Sequence, residues 1–259
     1  RRVLFRSTKE PKATDHIPQM IQMIKRIIEN GHGYSVDGDV FFDTLSIENY
    51  GRLSKRKLDD NRPGERISVD ERKRHPTDFA LWKSAKEGEP SWESPWGHGR
   101  PGWHLECSAM IRELIGPTVD IHGGGSDLVF PHHENELAQS QAAAEHCEKE
   151  LLFNGTDFVR YWIHNGFVNI NKEKMSKSLG NFFTIREMLD NHHPFTVRWM
   201  LLSTQYRQPL NFTEQLMQEA ATNVYYLCQT LADARKLVSW DSDSDQEVHL
   251  GKLYDESQL

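Results

Sequence analysis

The chain has 259 residues, of which 37% are hydrophobic, and a formal net charge of -7, so it is long enough to bury one large or two modest cores. No stretch approaches the roughly 18 to 20 uncharged apolar residues of a membrane span, and the negative charge argues against a surface built for non-specific nucleic-acid binding. The three cysteines, Cys107, Cys147 and Cys228, are too few for a disulfide framework, which favours the cytoplasm, with an organelle matrix as the alternative.

The N-terminal segment divides into a leader, a helix and a hairpin. Residues 1–7 (RRVLFRS) back-translate as a synthetic sequencing adapter, so we expect them to be non-native and native sequence to begin near Thr8. Apolar residues then recur at helical spacing until Asn30-Gly31, which predicts an amphipathic helix that ends at Gly31. Residues 34–44 (YSVDGDVFFDT) place a turn pair, Asp-Gly, between strand-forming residues, which predicts a hairpin.

The middle of the chain begins with a charged stretch, residues 51–74, in which acidic residues interrupt basic ones. We interpret it as solvated surface, with phosphate contact as the alternative. Residues 87–102 (EGEPSWESPWGHGRPG) predict a rigid loop leading into a helix near Trp103. Residues 117–122 predict a short strand, followed by a glycine loop and then a helix over residues 131–144. Strand, glycine loop and helix in this order are typical of a nucleotide site.

The C-terminal part is predicted to be mostly helical. Residues 162–171 read as extended chain before a lysine-rich loop, and helices dominate after Thr184. The last of them covers about residues 213–238, and the acidic tail beyond Ser239 shows no packing pattern.

Two local patterns carry chemistry. His132 and Glu136 are four residues apart, so on a helix both side chains leave one face and can chelate an ion together with Cys107. Taken alone, a His/Glu pair at this spacing is more often a surface hydrogen bond than a metal site. The string KMSKS contains Lys174 and Lys177, whose ammonium groups can surround a triphosphate and balance the charge that builds as pyrophosphate leaves.

Three motifs together closely resemble the cysteinyl-tRNA synthetases, a family of class I aminoacyl-tRNA synthetases. They are GRPGWHLECSAM, DIHGGGSDLVFPHHENELAQS and KMSKSLGNFFTIRE, and the resemblance extends from Thr8 to about Leu237. It implies an α/β fold with a split Rossmann-type nucleotide-binding core, followed by an α-helical region. The implied divisions are the leader (1–7), the end of the first Rossmann half (8–32), a connective insertion (33–98), the second Rossmann half with the zinc site and KMSKS loop (99–183), a stem-contact region (184–212) and the start of a helical tRNA-binding bundle (213–259).

The same resemblance implies site residues. Cys107, His132 and Glu136 would be three ligands of one Zn²⁺ per chain; in the family the fourth is a cysteine ahead of a HIGH-type motif, and neither occurs here. A thiolate is a far better zinc ligand than a hydroxyl, so the metal would select cysteine over serine. The cysteine pocket would include Trp103 and His122. ATP would contact Gly123, Gly125, Asp127 and Lys177, with Mg²⁺ on its phosphates and with Lys174 and Lys177 as the catalytic lysines.

The implied reaction joins L-cysteine to tRNA(Cys) through a cysteinyl adenylate. Because the HIGH-type motif is missing, we expect residues 1–259 alone to have negligible adenylation activity. Two alternatives remain open: a truncated non-catalytic protein that binds nucleotide or RNA, and the related cysteine ligase of mycothiol synthesis. A zinc hydrolase is disfavoured because no HExxH motif is present.

Overall fold

The computed structural model describes residues 7–56, 70–144, 158–175 and 180–237. The chain forms two compact units, Arg1–Ile163 and His164–Leu259. None of the helices within these described ranges is long and apolar enough to cross a membrane. The helices and strands, in chain order, are α1 (Ile17–Glu29), β1 (Gly33–Val36), β2 (Asp39–Phe42), β3 (Phe79–Ser84), β4 (Gly99–Pro101), α2 (Trp103–Leu114), β5 (Val119–Gly125), α3 (Glu134–Ala142), β6 (Val159–Asn165), β7 (Val168–Ile170), β8 (Glu173–Lys174), α4 (Ile185–Asn191), α5 (Pro194–Leu202), β9 (Leu210–Phe212) and α6 (Glu214–Leu237).

The predicted first helix is confirmed as α1. A proline in its first turn suits a helix start, because the nitrogen of that residue would have no helical partner. The apolar residues at helical spacing form its buried face: Ile17, Met20, Met23, Ile24 and Ile27. The helix ends where Gly31 adopts a φ of +84°, a conformation that costs glycine little.

The first unit contains a four-stranded antiparallel sheet in the order β1-β2-β3-β4. The predicted hairpin is confirmed: Asp37 and Gly38, both with positive φ, connect β1 and β2. The loop prediction for residues 87–102 was wrong at its end, because Gly99–Pro101 pairs with β3 as β4. A Cβ on Gly99 would lie 2.3 Å from Trp82 Nε1, so glycine is needed where the two strands meet.

The main core lies between this sheet and helices α1, α2 and α3. Its largest fully buried side chains come from the sheet, α1 and α2, and include Ile24 of α1, Trp82 and Leu81 of β3, and Leu105 of α2. Small residues of α3, such as Ala138, complete the cluster. This packing places α2, which carries Cys107, beside α3, which carries Glu136.

The predicted glycine loop and helix start are both corrected. Strand β5, which is paired with β6, continues through all three glycines to Gly125 instead of ending at His122. The helix begins at Glu134 instead of Pro131, since the preceding wide turn, Val129–His133, contains Phe130 in an extended conformation. A residue that precedes proline is disfavoured in the helical region, which explains the later start.

The second unit packs helices on a small sheet of order β8-β7-β9, in which β7 and β9 are parallel. The predicted dominance of helices after Thr184 is confirmed, with a reciprocal capping box between Thr184 and Glu187 at the start of α4. Strand β9, inside the predicted stem-contact region, was not anticipated. The last predicted helix is α6; residue 238, its predicted end, lies outside the described ranges.

Candidate metal and substrate site

The three predicted metal ligands meet in the first unit. The ligand atoms of Cys107, His132 and Glu136 all lie within 4.8 Å of one another. Cys107 lies on α2, His132 in the wide turn before α3, and Glu136 in the first turn of α3. Ligand distances of about 2.0 to 2.3 Å put neighbouring atoms of a tetrahedral zinc site roughly 3.3 to 3.8 Å apart, so this spacing suits one ion after small movements.

The environment of Glu136 tests whether a metal fits. Its side chain is fully buried, and His132 Nε2 lies 2.8 Å from Oε1 while His122 Nε2 lies 3.2 Å from Oε2. Neither carboxylate oxygen makes a well-aligned hydrogen bond with any described residue. Burial opposes ionisation, but the neighbouring His122 and His132 outweigh it and hold the pKa of Glu136 well below its usual range. A buried carboxylate without aligned donors is costly, and a cation offsets that cost. The residues therefore fit a metal.

His132 is oriented by a second histidine. Its Nδ1 lies 2.9 Å from Nδ1 of His104, which leaves Nε2 directed at Glu136. Ligating histidines commonly use one ring nitrogen for the metal and the other for an orienting hydrogen bond. Burial, followed by the nearby His132, lowers the pKa of His104 to about 4, so at neutral pH the His104 ring is uncharged.

Cys107 is held as a neutral thiol when no cation is present. Burial, together with the carboxylates of Glu136 and Glu106, raises the pKa of Cys107 to about 12. A coordinated metal ion reverses this balance, since a thiol bound to a cation is deprotonated. A metal ion would therefore have to displace the thiol proton, while the carboxylates of Glu106 and Glu136 supply negative charge that attracts a cation.

Trp103 and His122, the predicted cysteine-pocket residues, both lie beside this cluster. Trp103 is 56% exposed, which excludes the core role that its residue type alone would suggest. Its ring stacks on His132 with centroids 4.3 Å apart. His122 packs edge-on against Trp162, with centroids 5.0 Å apart, and approaches Glu136 from the β5 side. An aromatic surface and a histidine therefore flank the ligand atoms.

A second ligand set shares Glu136 with the first. The ligand atoms of His122, His133 and Glu136 also lie within 4.8 Å of one another. His133 depends on a glycine, because a Cβ on Gly124 would lie 2.8 Å from its Cε1 atom. Gly124, the one residue of the predicted glycine loop that was given no ATP contact, thus makes room for a histidine.

The predicted nucleotide contacts are only partly described. Gly123 follows His122 directly in β5, and Asp127 is exposed in the turn Ser126–Leu128. A Cβ on Gly125 would lie 2.3 Å from Oδ1 of Asp127, so glycine lets that carboxylate fold over the strand end. Their roles stay predictions. Lys174 ends β8 in the second unit, and Lys177 lies outside the described residues.

An open cleft of about 1020 Å³ runs beside the cluster. Its lining residues include Trp103, His104 and Asn135 next to the cluster, and Asp39 and Lys83 of the sheet. This volume is in the upper range of ligand-binding clefts, and the cleft reaches the cluster at Trp103 and His104, while His132 and Glu136 are buried behind them.

Sequence reasoning missed His104 and His133 as members of this site. The dipeptides Trp103-His104 and His132-His133 signalled them, because each places a second histidine next to a predicted site residue.

The comparisons with known proteins agree with this geometry. The model of the family described as tRNA synthetases class I (C) catalytic domain matches residues 3–222. The chain is 55% identical over 238 residues to the chloroplastic/mitochondrial cysteine–tRNA ligase of Arabidopsis thaliana, an alignment covering 92% of the chain and 40% of that protein. It is 58% identical over 229 residues to the cysteine–tRNA ligase of Trichlorobacter lovleyi, covering 88% of the chain and 45% of that protein. The chain thus spans less than half the length of these two relatives.

Solved structures agree on the fold. A methionyl-tRNA synthetase of Mycobacterium tuberculosis, solved in complex with methionyl-adenylate, has a TM-score of 0.54 and 15% identity, with 82% of this chain and 50% of that chain covered. This likeness confirms the predicted α/β fold of a class I synthetase, a Rossmann-type core followed by helices. Since the family model spans most of the chain and close relatives share more than half of the aligned residues, the chain belongs to the family of tRNA synthetases class I (C) catalytic domains.

Proposed function

We propose that the chain is the amino-acid-selecting part of a cysteine–tRNA ligase, which activates L-cysteine with ATP and transfers it to tRNA(Cys). The observation that carries the proposal is the convergence of Cys107, His132 and Glu136 within 4.8 Å beneath the exposed Trp103. The names of the relatives, cysteine–tRNA ligases at 55 and 58% identity, support the substrate.

Cys107, His132 and Glu136 would hold one zinc ion. When bound, zinc supplies a position that a substrate thiolate fills well and a serine hydroxyl fills poorly. His104 keeps His132 turned toward the ligand set through the 2.9 Å contact between their Nδ1 atoms. Trp103 and His122 flank the amino acid and exclude water from it.

Selection by a metal suits this substrate. An apolar pocket separates amino acids that differ by one methylene by only about 1 to 3 kcal/mol, and cysteine and serine have almost the same shape. A ligand set that distinguishes sulfur from oxygen makes a second, editing site unnecessary.

ATP would lie at the end of β5, with Gly123 and Gly125 allowing close approach and Asp127 accepting from the ribose hydroxyls. Lys174 and Lys177 would balance the charge of the departing pyrophosphate, and Mg²⁺ would accompany the phosphates. The cysteine carboxylate attacks the α-phosphorus, giving cysteinyl adenylate and pyrophosphate. The terminal ribose hydroxyl of tRNA then displaces AMP. No protein nucleophile is needed, so catalysis depends on alignment and charge stabilisation.

We also propose that the enzyme works where translation takes place, in the cytoplasm or in an organelle matrix. The name of the Arabidopsis thaliana relative, which is chloroplastic/mitochondrial, supports an organelle matrix.

The test is cysteine-dependent exchange of pyrophosphate into ATP by the longer protein that contains this chain. The variant Cys107→Ala removes a ligand, and Cys228→Ala, at a half-buried cysteine of α6, is the matched control. Mutation of groups that merely support a ligand costs about 10- to 100-fold, so we expect Cys107→Ala to lower exchange by at least about 100-fold.

The control should retain full exchange, and serine should support little. Zinc binding without any cysteine-dependent exchange would contradict the proposed enzymatic activity and favour the alternative, a protein that only binds nucleotide or RNA. Equal activity with cysteine and serine would contradict metal-directed selection.

A further inference from the structure

Glu134, the first residue of α3, is only 1% exposed and is not a candidate metal ligand. Its Oε1 accepts backbone N–H bonds from Gly51 at 3.0 Å and Leu53 at 3.4 Å, and its Oε2 accepts one from Ser54 at 2.7 Å. Backbone amides that converge on an anion form a nest, and such charge-assisted bonds are roughly twice as strong as neutral ones. Glu134 therefore joins α3 firmly to residues 50–56, which we call the anchor turn.

The anchor turn has a defined conformation of its own. Gly51 has a φ of +97°, and a Cβ there would lie 2.1 Å from the carbonyl oxygen of Arg56. The Arg56 N–H closes the turn by donating to the Gly51 carbonyl at 3.1 Å. Two more contacts reach the same part of the chain: the Tyr50 hydroxyl donates to Oδ1 of Asn135, and the Arg56 guanidinium lies 4.6 Å from the centroid of the Phe130 ring.

Glu134 is two residues away from each of two ligands, His132 and Glu136. Residues two apart on a helix project about 200° from each other, so Glu134 leaves the opposite face of α3 from Glu136. A contact at the first turn of a helix, on the face opposite the ligands, fixes the rotation of the helix about its axis and how far the helix is inserted into the fold. The orientation of the ligand face toward Cys107 then depends on the anchor turn.

We propose that Glu134 is a positioning residue for the metal centre. By holding the anchor turn, it directs His132 and Glu136 at Cys107, and it thereby sets the affinity for zinc and, through the proposed function, the affinity for cysteine. The residue contacts neither the metal nor the substrate. Its substitution should weaken zinc binding even where the chain still folds.

The experiment measures zinc affinity of this chain by competition with a chromophoric chelator, alongside thermal unfolding followed by circular dichroism. We expect Glu134→Gln to weaken zinc binding by about 10- to 100-fold, the range typical of groups that orient ligands. Asp78→Asn is the matched control, because Asp78 is also 1% exposed and accepts backbone N–H bonds from Thr44 and His75, both at 3.0 Å. Both variants should lower the melting temperature, but the control should change the zinc affinity by less than about 2-fold.

A second variant perturbs the same contact from the other side. Gly51→Ala displaces the anchor turn through its clash with Arg56 while leaving the carboxylate intact, and we expect it to weaken zinc binding too. If Glu134→Gln does not fold, the test uses Tyr50→Phe, which removes only one hydroxyl. A loss of zinc affinity greater than about 2-fold would then support the proposal, and a smaller loss would overturn it.

Unchanged zinc affinity in a folded Glu134→Gln chain would overturn the proposal, as would an equal loss in Asp78→Asn or a wild-type chain that does not bind zinc. In the longer protein, Glu134→Gln should raise the KM for cysteine and leave the KM for ATP unchanged. A wild-type protein that binds zinc but activates no cysteine refutes the proposed function alone, because the effect of Glu134 on zinc would still be measurable.

Discussion

Replacing Leu105 by alanine tests whether core packing holds the ligand helix in place. Leu105 is fully buried on α2, between Trp103 and Cys107, and belongs to the main core. The substitution removes three carbon atoms, worth about 2.4 kcal/mol at about 0.8 kcal/mol per methylene. The cavity left behind adds to this, and we expect a total loss of about 3 to 4 kcal/mol, within the range of about 2 to 5 observed for buried Leu→Ala changes.

Urea unfolding followed by tryptophan fluorescence measures this loss, because five of the seven tryptophans lie in the first unit: Trp82, Trp92, Trp96, Trp103 and Trp162. With a slope of about 2 kcal/mol per molar urea, the midpoint should fall by roughly 1.5 to 2 M. The control is Ile115→Ala at the end of α2, where the side chain is 63% exposed and the expected loss is below about 0.5 kcal/mol.

A loss below about 1 kcal/mol for Leu105→Ala would refute the reasoning, because the side chain would then contribute no more than a surface residue. An equal loss in the control would refute it as well.

Two further predictions concern the sheet and its junction with α2. In Gly102→Ala the new Cβ would lie 1.9 Å from the Ala80 carbonyl oxygen. We therefore expect the free energy of unfolding, measured by thermal unfolding, to fall by about 1 to 3 kcal/mol and the near-ultraviolet circular dichroism of Trp103 to change. An unchanged stability would show that α2 does not need this close approach. Burial opposes ionisation of Asp39, but hydrogen bonds from Ser84 and Arg72 lower its pKa below 3.8, so its contribution to stability is complete above pH 3.8 and is lost as the pH falls through the folded-state pKa. Asp39→Asn should therefore flatten the fall in melting temperature as the pH decreases below 3.8, and an unchanged slope in that range would contradict this assignment.

The sequence by itself determined the features that rest on short-range periodicity. Apolar spacing identified α1, the pair Asp37-Gly38 identified the hairpin, and the four-residue separation of His132 and Glu136 predicted that both would reach one point. In each case the interacting groups are close in the chain, so local geometry is sufficient to bring them together. The α/β class followed from the same kind of signal, together with the motifs that carry the family resemblance.

The tertiary structure decided the features that depend on distant partners. Strand β4 forms inside a Gly- and Pro-rich segment because β3 offers a free edge, and β5 continues through three glycines because β6 pairs with it. Cys107 reaches the ligand pair only because the shared core packs α2 against α3. Glu134 is buried because amides some eighty residues earlier in the chain converge on it. Backbone pairing and buried polar contacts of this kind leave no periodic trace in the sequence, because the residue types that make them are equally common on exposed surfaces.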